Sequence, residues 1–276
     1  MMTTDPNNAP GASDAALRPE AEVLAEARRR SRRSFIGLGL AGLAGLGGWQ
    51  WLTAPPDDSG TPHRLRQALD ANGRLSQAYF KQTRLAPEFA RRRATTPRVN
   101  GRVGLAEALD PAAWRMRVQA YGTGETQEFT LADIQALPKV TMTTELKCIE
   151  GWSTVVHWAG ARLSDFLARY PLATRGGQPA DPLNPPADLA PYVGLRTPDG
   201  KYYVGLDIAS ALHSQTLLCY EMNGQPLTAA HGAPLRLVTP LKYGIKHLKR
   251  IGTITFADAR PKDYWAELGY DWDAGH

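Results

Sequence analysis

Cysteine is nearly missing from this chain. Its 276 residues hold two, Cys148 and Cys219, far apart and outside any CxxC or CxxCH pattern. A covalently attached c-type haem is therefore not expected, and two cysteines make no disulfide framework. No internal repeat and no heptad pattern occurs, which excludes a solenoid or a coiled coil. A strong excess of one charge is absent too. The formal net charge is +5, and residues 1–54, with 6 Arg against 5 acidic residues, leave +4 on the rest. So mild a surplus does not call for nucleic acid; it describes solvated surface, and it also suits a buried polyanionic ligand. A long apolar run is lacking as well. About 17 apolar or Gly residues precede Thr53, which is borderline for a membrane span and weakened as a helix by its glycines.

What is present is ordinary globular material, 43% hydrophobic and 21% charged, enough for a sizeable core. The 26 Gly and 21 Pro are mostly scattered, as turns between short elements would scatter them, and they argue against a helical bundle. At the front, Ser31-Arg32-Arg33-Ser34-Phe35-Ile36-Gly37 precedes the Gly-rich apolar run 38–52, which ends at Thr53-Ala54-Pro55-Pro56-Asp57-Asp58. Paired arginines before a moderately apolar segment are the signature of twin-arginine export, a route that carries folded proteins. The expectation is a periplasmic protein, membrane-anchored if the segment is retained; no clear A-x-A cleavage site follows it.

Three segments are expected: residues 1–54 as the signal, 55–100 as a loosely packed arm, and 101–276 as the functional domain. The arm has a short helical pattern near 63–69 and a basic cluster, Arg91-Arg92-Arg93, read as solvated surface. Beyond it, β-rich segments fall at 114–121, 140–149, 192–197, 202–204, 216–222, 235–238 and 251–256. Short helices are expected after Thr130, where Thr can cap and Asp133 favours the first turn, and at 164–170 and 206–212. Residues 171–191, rich in Pro, Gly and Asp, read as a long surface loop. Past residue 100 there is no strict βαβ period and no GxGxxG, so a mixed α+β domain fits better than a dinucleotide-binding one.

Two constellations carry chemistry. Cys148 stands in Leu146-Lys147-Cys148-Ile149-Glu150-Gly151-Trp152-Ser153, flanked by charge and followed by Gly, so the chain turns just after it and presents it at a strand end. A thiolate there suits a soft metal. Cys219, in Leu217-Leu218-Cys219-Tyr220, reads as a small core hydrophobe. The second constellation runs from His231-Gly232-Ala233-Pro234-Leu235-Arg236-Leu237-Val238 to Lys242-Tyr243-Gly244-Ile245-Lys246-His247-Leu248-Lys249. It places Arg236 on an apolar strand with no acidic residue nearby in sequence, and a phosphate would satisfy its planar fork. The other reading of the lysines is a basic surface hairpin.

Together, Cys148-x-Glu150-Gly151-Trp152-Ser153 with Trp158 and Gly160, then His231-Gly232-Ala233-Pro234-Leu235-Arg236 and Lys242-Tyr243-Gly244-x-Lys246, resemble the sulfite-oxidase-like molybdopterin oxidoreductases over roughly residues 100–260. Within that family the motifs are similar to those of periplasmic protein-methionine-sulfoxide reductase catalytic subunits. The resemblance implies an α+β fold of mixed sheets with short surrounding helices. It also implies a molybdenum-molybdopterin cofactor held to the protein metal ligand Cys148, with Glu150 or Trp152 shaping the substrate side of the reacting centre. By the same resemblance, Thr197, His231, Arg236, His247, Leu248 and Lys249 bind the cofactor. The family's N-terminal cofactor contacts have no clear counterpart; Asn100 and Arg84 are the candidates. True sulfite oxidases follow this Cys with arginines, whereas Glu150 here would repel sulfite. The implied activity is oxygen-atom transfer on a small-molecule or protein-bound oxo substrate such as methionine sulfoxide. The alternatives are sulfite-dehydrogenase-type oxidation and a non-catalytic binding module. A membrane haem-containing electron-transfer subunit is the implied partner. A hydrolase pairing Cys148 with His157 or His231 is the chemical rival. The aromatic tail 264–272 is expected to pack on the domain rather than form a docking surface.

Overall fold

The structure, a computed structural model, describes residues 20–53 and 62–276. It falls into two units, one up to Ala54 and one from Pro55 onward. In the first, α1 (Glu20–Thr53) contains the arginine pair and the apolar run as one helix. No described helix is long and apolar enough to cross a membrane. The residues before 20, and 54–58 that close the apolar run, lie outside the described residues. Gly37, Gly39 and Gly42 do have G-x-G-x-x-G spacing, but they lie inside α1, not at the strand-to-helix turn that binds phosphate.

The second unit opens with α2 (His63–Tyr79). It runs ten residues past the expected pattern because Asn72-Gly73 does not stop it. Gly73 is buried within the helix, and a Cβ there would make ordinary contact, 3.5 Å from Asp273 Cβ. Next come β1 (Met116–Gln119), β2 (Thr126–Phe129), α3 (Leu131–Gln135), β3 (Lys139–Lys147) and β4 (Ser153–Arg162). They are followed by α4 (Leu163–Arg169), β5 (Tyr192–Arg196), β6 (Tyr203–Asp207), α5 (Ile208–Ala211) and β7 (Leu217–Met222). The chain ends with β8 (Gln225–Pro226), β9 (Arg236–Val238), β10 (Thr253–Ala257) and α6 (Tyr264–Glu267). Thr130 forms a full capping box with Asp133 at α3, as its sequence implies.

The strands build two sheets. One has the order β2-β1-β10-β5-β6, mixed through the parallel β1–β10 pair. The other is antiparallel, β3-β4-β7-β8 with β9 also on β7. The main core fills the space between them. Leu218 and Tyr220 of β7 face it, while Leu217 and Cys219 join Trp158, Val156 and Val238 on the other side of the sheet. β7 is thus buried on both faces over Leu217–Tyr220, which explains the apolar run there.

Three strands escaped the sequence reading, one of them the two-residue β8. β2 has only Phe129 inward, so it carries almost no hydrophobic signal. β4 is central, yet it contains Gly160, which in a sequence suggests a turn. A Cβ at Gly160 would lie 2.2 Å from Leu218 O, at the irregularity in the β4–β7 pairing. The glycine marks close backbone approach within a sheet, not its end.

Residues 80–100 are pinned rather than loose. Gln215 clasps Ala86 through both amide atoms, at 2.7 and 3.0 Å. Phe89 N–H donates to Thr143 O at 2.8 Å and Thr95 N–H to Val155 O at 2.9 Å, covering strand edges that would otherwise be open. Arg91–Arg93 form an exposed 3-10 turn, and loop 171–191 is tied by a Thr174–Leu189 bridge.

The C-terminal tail packs on the domain, as expected, and it does more than fill space. Lys246, fully buried, donates to Asp263 at 2.6 Å and to Gly205 O at 2.9 Å. Lys242, also buried, pairs with Asp273 at 2.8 Å. A basic surface hairpin is thereby excluded. Replacing Asp263 by Ala strands an ammonium in the interior, and the expected cost is about 3–5 kcal/mol. Urea denaturation of the wild type and Asp263→Ala measures it; a loss below about 1 kcal/mol would mean that the pair is dispensable.

Candidate functional site

The second sheet carries a cleft on the face away from the main core. Its walls come from the end of β3, from β4 and β9, and from segments 97–103, 244–249 and 265–270. The cavity itself is about 190 Å³ and opens into a wide mouth.

Cys148 stands on one wall, one residue past β3. Its N–H donates to Trp152 O at 2.9 Å, and Gly151 N–H returns to Cys148 O at 3.1 Å. Gly151 sits at φ +85°, which an L residue rarely adopts, so the tight turn that presents the thiol needs glycine. Glu150 lies at the mouth, its Oε2 accepting from Trp152 Nε1 at 2.8 Å and from Asn100 Nδ2 at 3.3 Å. Both cysteines are free thiols. Cys219 is fully buried, and burial pushes its thiol up to about 12, which leaves it inert at neutral pH.

Arg236 lies on the floor. Strand alternation puts it on the same side of β9 as Val238, over Trp158, whose ring centre is 5.0 Å from the guanidinium. Its terminal nitrogens donate to His231 O at 3.1 Å and His247 O at 3.3 Å. Burial lowers its pKa to about 10, still well above neutrality. Among the described residues it has no carboxylate partner, and its Nε has no partner at all.

His247 is held neutral. Burial first, then the nearby Arg236 charge, lowers it to about 3. Its Nε2 lies 2.9 Å from Thr239 O, which fixes the proton there because a carbonyl only accepts. Nδ1 is left a buried acceptor without a partner, and Trp158 Nε1 a buried donor without one. Three unpartnered buried polar atoms therefore belong to residues of one cleft.

Lys249 also lines the cleft. Burial, then Arg236, lowers its pKa to about 8. It donates to Asn100 O, Gly101 O and Ala230 O at 2.5, 3.1 and 3.0 Å. Gly232, at φ +96°, allows that approach, for a Cβ there would lie 2.7 Å from Lys249 Cβ. His231 lines the cleft too, its pKa lowered by burial and by Arg236.

Of the residues expected here, the fold gathers Cys148, Glu150, His231, Arg236, His247 and Lys249. It does not bring Thr197 or Leu248 to the cleft. Thr197 spends its hydroxyl on Asp199 at 2.6 Å, closing the β5–β6 turn. Leu248 points into the main core. Of the two N-terminal candidates, Asn100 lines the cleft, whereas Arg84 lies over Tyr79. His157 pairs with Thr143 Oγ1 at 2.8 Å, far along β3 from Cys148, and no described His is hydrogen-bonded to the thiol. The hydrolase pairing is therefore not assembled. Tyr202, Trp265 and Tyr270 complete the walls without having been singled out for it; they come from a turn and a tail whose sequence carries no spacing signal.

The chain was compared with known proteins. Residues 103–265 match the family described as oxidoreductase molybdopterin-binding domain. A putative protein-methionine-sulfoxide reductase subunit YedZ1 of Azospira oryzae is 32% identical over 251 residues, 89% of this chain and 88% of that one. The protein-methionine-sulfoxide reductase catalytic subunits MsrP of Xanthomonas campestris and Burkholderia mallei are each 34% identical, over 59% and 58% of this chain. This chain spans about half of their length, 51% and 48%. Among solved structures, the sulfane dehydrogenase SoxCD of Paracoccus pantotrophus aligns with a TM-score of 0.46 at 17% identity, over 56% of this chain and 41% of that one.

The depressed pKa of His247 has a direct consequence. A histidine that stays neutral when folded but protonates when unfolded makes the unfolded state bind more protons, so stability rises with pH between the two pKa values. Stability is expected to fall as pH drops from about 6.5 toward 3, and His247→Gln to flatten that slope by about 1.4 kcal/mol per pH unit. Urea titrations at three pH values measure it; equal slopes in the two proteins would contradict the buried neutral imidazole.

Proposed function

The chain belongs to the oxidoreductase molybdopterin-binding family and is a molybdopterin-dependent enzyme with a molybdenum-molybdopterin cofactor; from there we propose that it is an exported reductase of sulfoxides such as methionine sulfoxide. The single observation that carries the site is the set of unpartnered buried atoms Arg236 Nε, Trp158 Nε1 and His247 Nδ1, in a cleft with Cys148 on its wall. Leaving such groups unmet costs about 1–3 kcal/mol each. These atoms belong to the residues under the cleft, and an anionic, hydrogen-bonding ligand seated there suits the charge of Arg236 beside the Cys148 thiol, so the residues present fit the cofactor.

In this reading Cys148 supplies the thiolate that ties the metal to the protein. Arg236 balances the negative charge of the cofactor, and the neutral His247 accepts a hydrogen bond from it. Lys249 and His231 close the same side. When bound, the cofactor supplies two-electron oxygen-atom chemistry. The chain supplies position and selection.

Reduction of a sulfoxide consumes two electrons and two protons and yields a thioether and water. Glu150, His231 and Lys249 are proton-bearing groups of the cleft. The carboxylate at the mouth repels an anion such as sulfite, while Trp152, Trp265 and Tyr270 offer apolar walls to a neutral sulfoxide. The related proteins named for methionine-sulfoxide reduction support the substrate. The sequence has no covalent haem-attachment motif, which suits electrons arriving from another protein. A membrane haem-containing subunit is the partner that fits. The Arg32-Arg33 pair ahead of its apolar run supports twin-arginine export to the periplasm, the export of an already folded, cofactor-loaded protein.

The test is molybdenum by elemental analysis on the native protein and on Cys148→Ala. Near-stoichiometric metal is expected in the first. The variant is expected to lose the metal or change its spectroscopic signal, and to lose methionine-sulfoxide reduction at least ~100-fold. Well-folded native protein without molybdenum or pterin would refute the reading. A loaded enzyme that turned over sulfite and not sulfoxide would overturn the substrate.

A further inference from the structure

Glu150, Trp152, Asn100 and Cys148 form a continuous chain of contacts at the cleft mouth. Trp152 Nε1 donates to Glu150 Oε2 at 2.8 Å, Asn100 Nδ2 donates to the same oxygen at 3.3 Å, and that Nδ2 lies 3.8 Å from Cys148 Sγ. A side-chain amide nitrogen carries two hydrogens, so one can serve the carboxylate while the other serves the sulfur. The arrangement also decides which way the amide faces. Turned over, Asn100 would set its carbonyl oxygen against a carboxylate oxygen, a repulsion with nothing to offset it. Glu150 thus keeps an N–H directed at the thiol.

The backbone of Asn100 is held independently. Lys249 Nζ donates to Asn100 O at 2.5 Å and Gly101 O at 3.1 Å. Arg98 lies over the Trp152 ring, 5.3 Å from its centre, and steadies the far end. With both ends fixed, the rotation of the Asn100 amide is the remaining freedom, and Glu150 sets it.

We propose that Trp152 and Glu150 are positioning residues that act through Asn100 to maintain an N–H···S hydrogen bond on Cys148, and so tune the reduction potential of the metal that this thiolate holds. The inference rests on the reading of Cys148 as the metal ligand. A hydrogen bond to a ligating sulfur draws electron density from it, weakens its donation to the metal and favours the reduced, more electron-rich state. Loss of the bond therefore lowers the potential. It also moves the sulfur-to-metal charge-transfer absorption to lower energy, because a freer thiolate gives up charge more easily.

The test is a double-mutant cycle on the metal-loaded protein with Asn100→Leu and Trp152→Phe, read by metal content, absorption spectrum and midpoint potential. Neither substitution changes the net charge. Asn100→Leu is expected to lower the potential and shift the band to lower energy. Trp152→Phe should give a smaller shift in the same direction, and the double variant should match Asn100→Leu alone. A Trp152→Phe shift that persists undiminished in the Asn100→Leu background would overturn the relay. So would an Asn100→Leu protein with unmoved band and potential. If Asn100→Leu retains too little metal to read, Asn100→Ser takes its place in the cycle. Wild-type protein without metal would remove the functional reading and this inference with it, whereas loaded protein with unshifted bands removes the inference alone.

Discussion

Arg236 is a guanidinium in the protein interior with no carboxylate to meet it among the described residues, and much of the architecture serves to tolerate that. A buried cation is costly unless it is paired and hydrogen-bonded. Two backbone carbonyls and the face of Trp158 stabilise it only in part. Burial first, and this charge after it, lowers the pKa values of His231, His247 and Lys249. The result is a cleft floor with one firm positive charge, a neutral imidazole with a free lone pair, and an indole N–H without a partner. Such a floor is costly for the protein alone and complementary to an anionic, hydrogen-bonding cofactor.

The lysines around Arg236 show what a different arrangement does to the same residue type. Lys242 and Lys246 stand in the same basic run, yet the tail delivers Asp273 and Asp263 to them. Those charges are neutralised and structural. Lys249 is also withdrawn from solvent, but its ammonium meets three carbonyls and anchors the segment that carries Asn100. Among the described residues, the fold thus makes buttresses of Lys242 and Lys246 and a strut of Lys249, and leaves Arg236 without a carboxylate.

Much of this was legible in the residues before any coordinates. The α+β class followed from short β-rich segments without a βαβ period, and most strands fell where alternation or apolar runs placed them. Cys148 was legible because a charged, Gly-terminated setting is unlike a core strand, and Arg236 because its neighbours are apolar. The errors have physical causes. Glycine reads as a turn, so β4 with Gly160 and the C-terminal half of α2 with Gly73 were passed over, though Gly160 serves close packing and Gly73 is simply buried within its helix. Thr197 and Leu248 were placed in the site by analogy of motif, and the tight β5–β6 turn and the main core claim them instead.

The sequence by itself determined the fold class, the turn that exposes Cys148 and the presence of a cation on an apolar strand. Each of these is a local matter of backbone freedom, periodicity and solvation. Only the tertiary structure decided which lysines keep an uncompensated charge, which atoms stay unpartnered, and that Asn100 reaches Cys148 from 48 positions away. Those outcomes depend on which groups meet in space after the sheets close on their core. A carboxylate 17 residues downstream cancels Lys246, while Arg236 meets none among the described residues. Spacing along the chain carries no record of that difference.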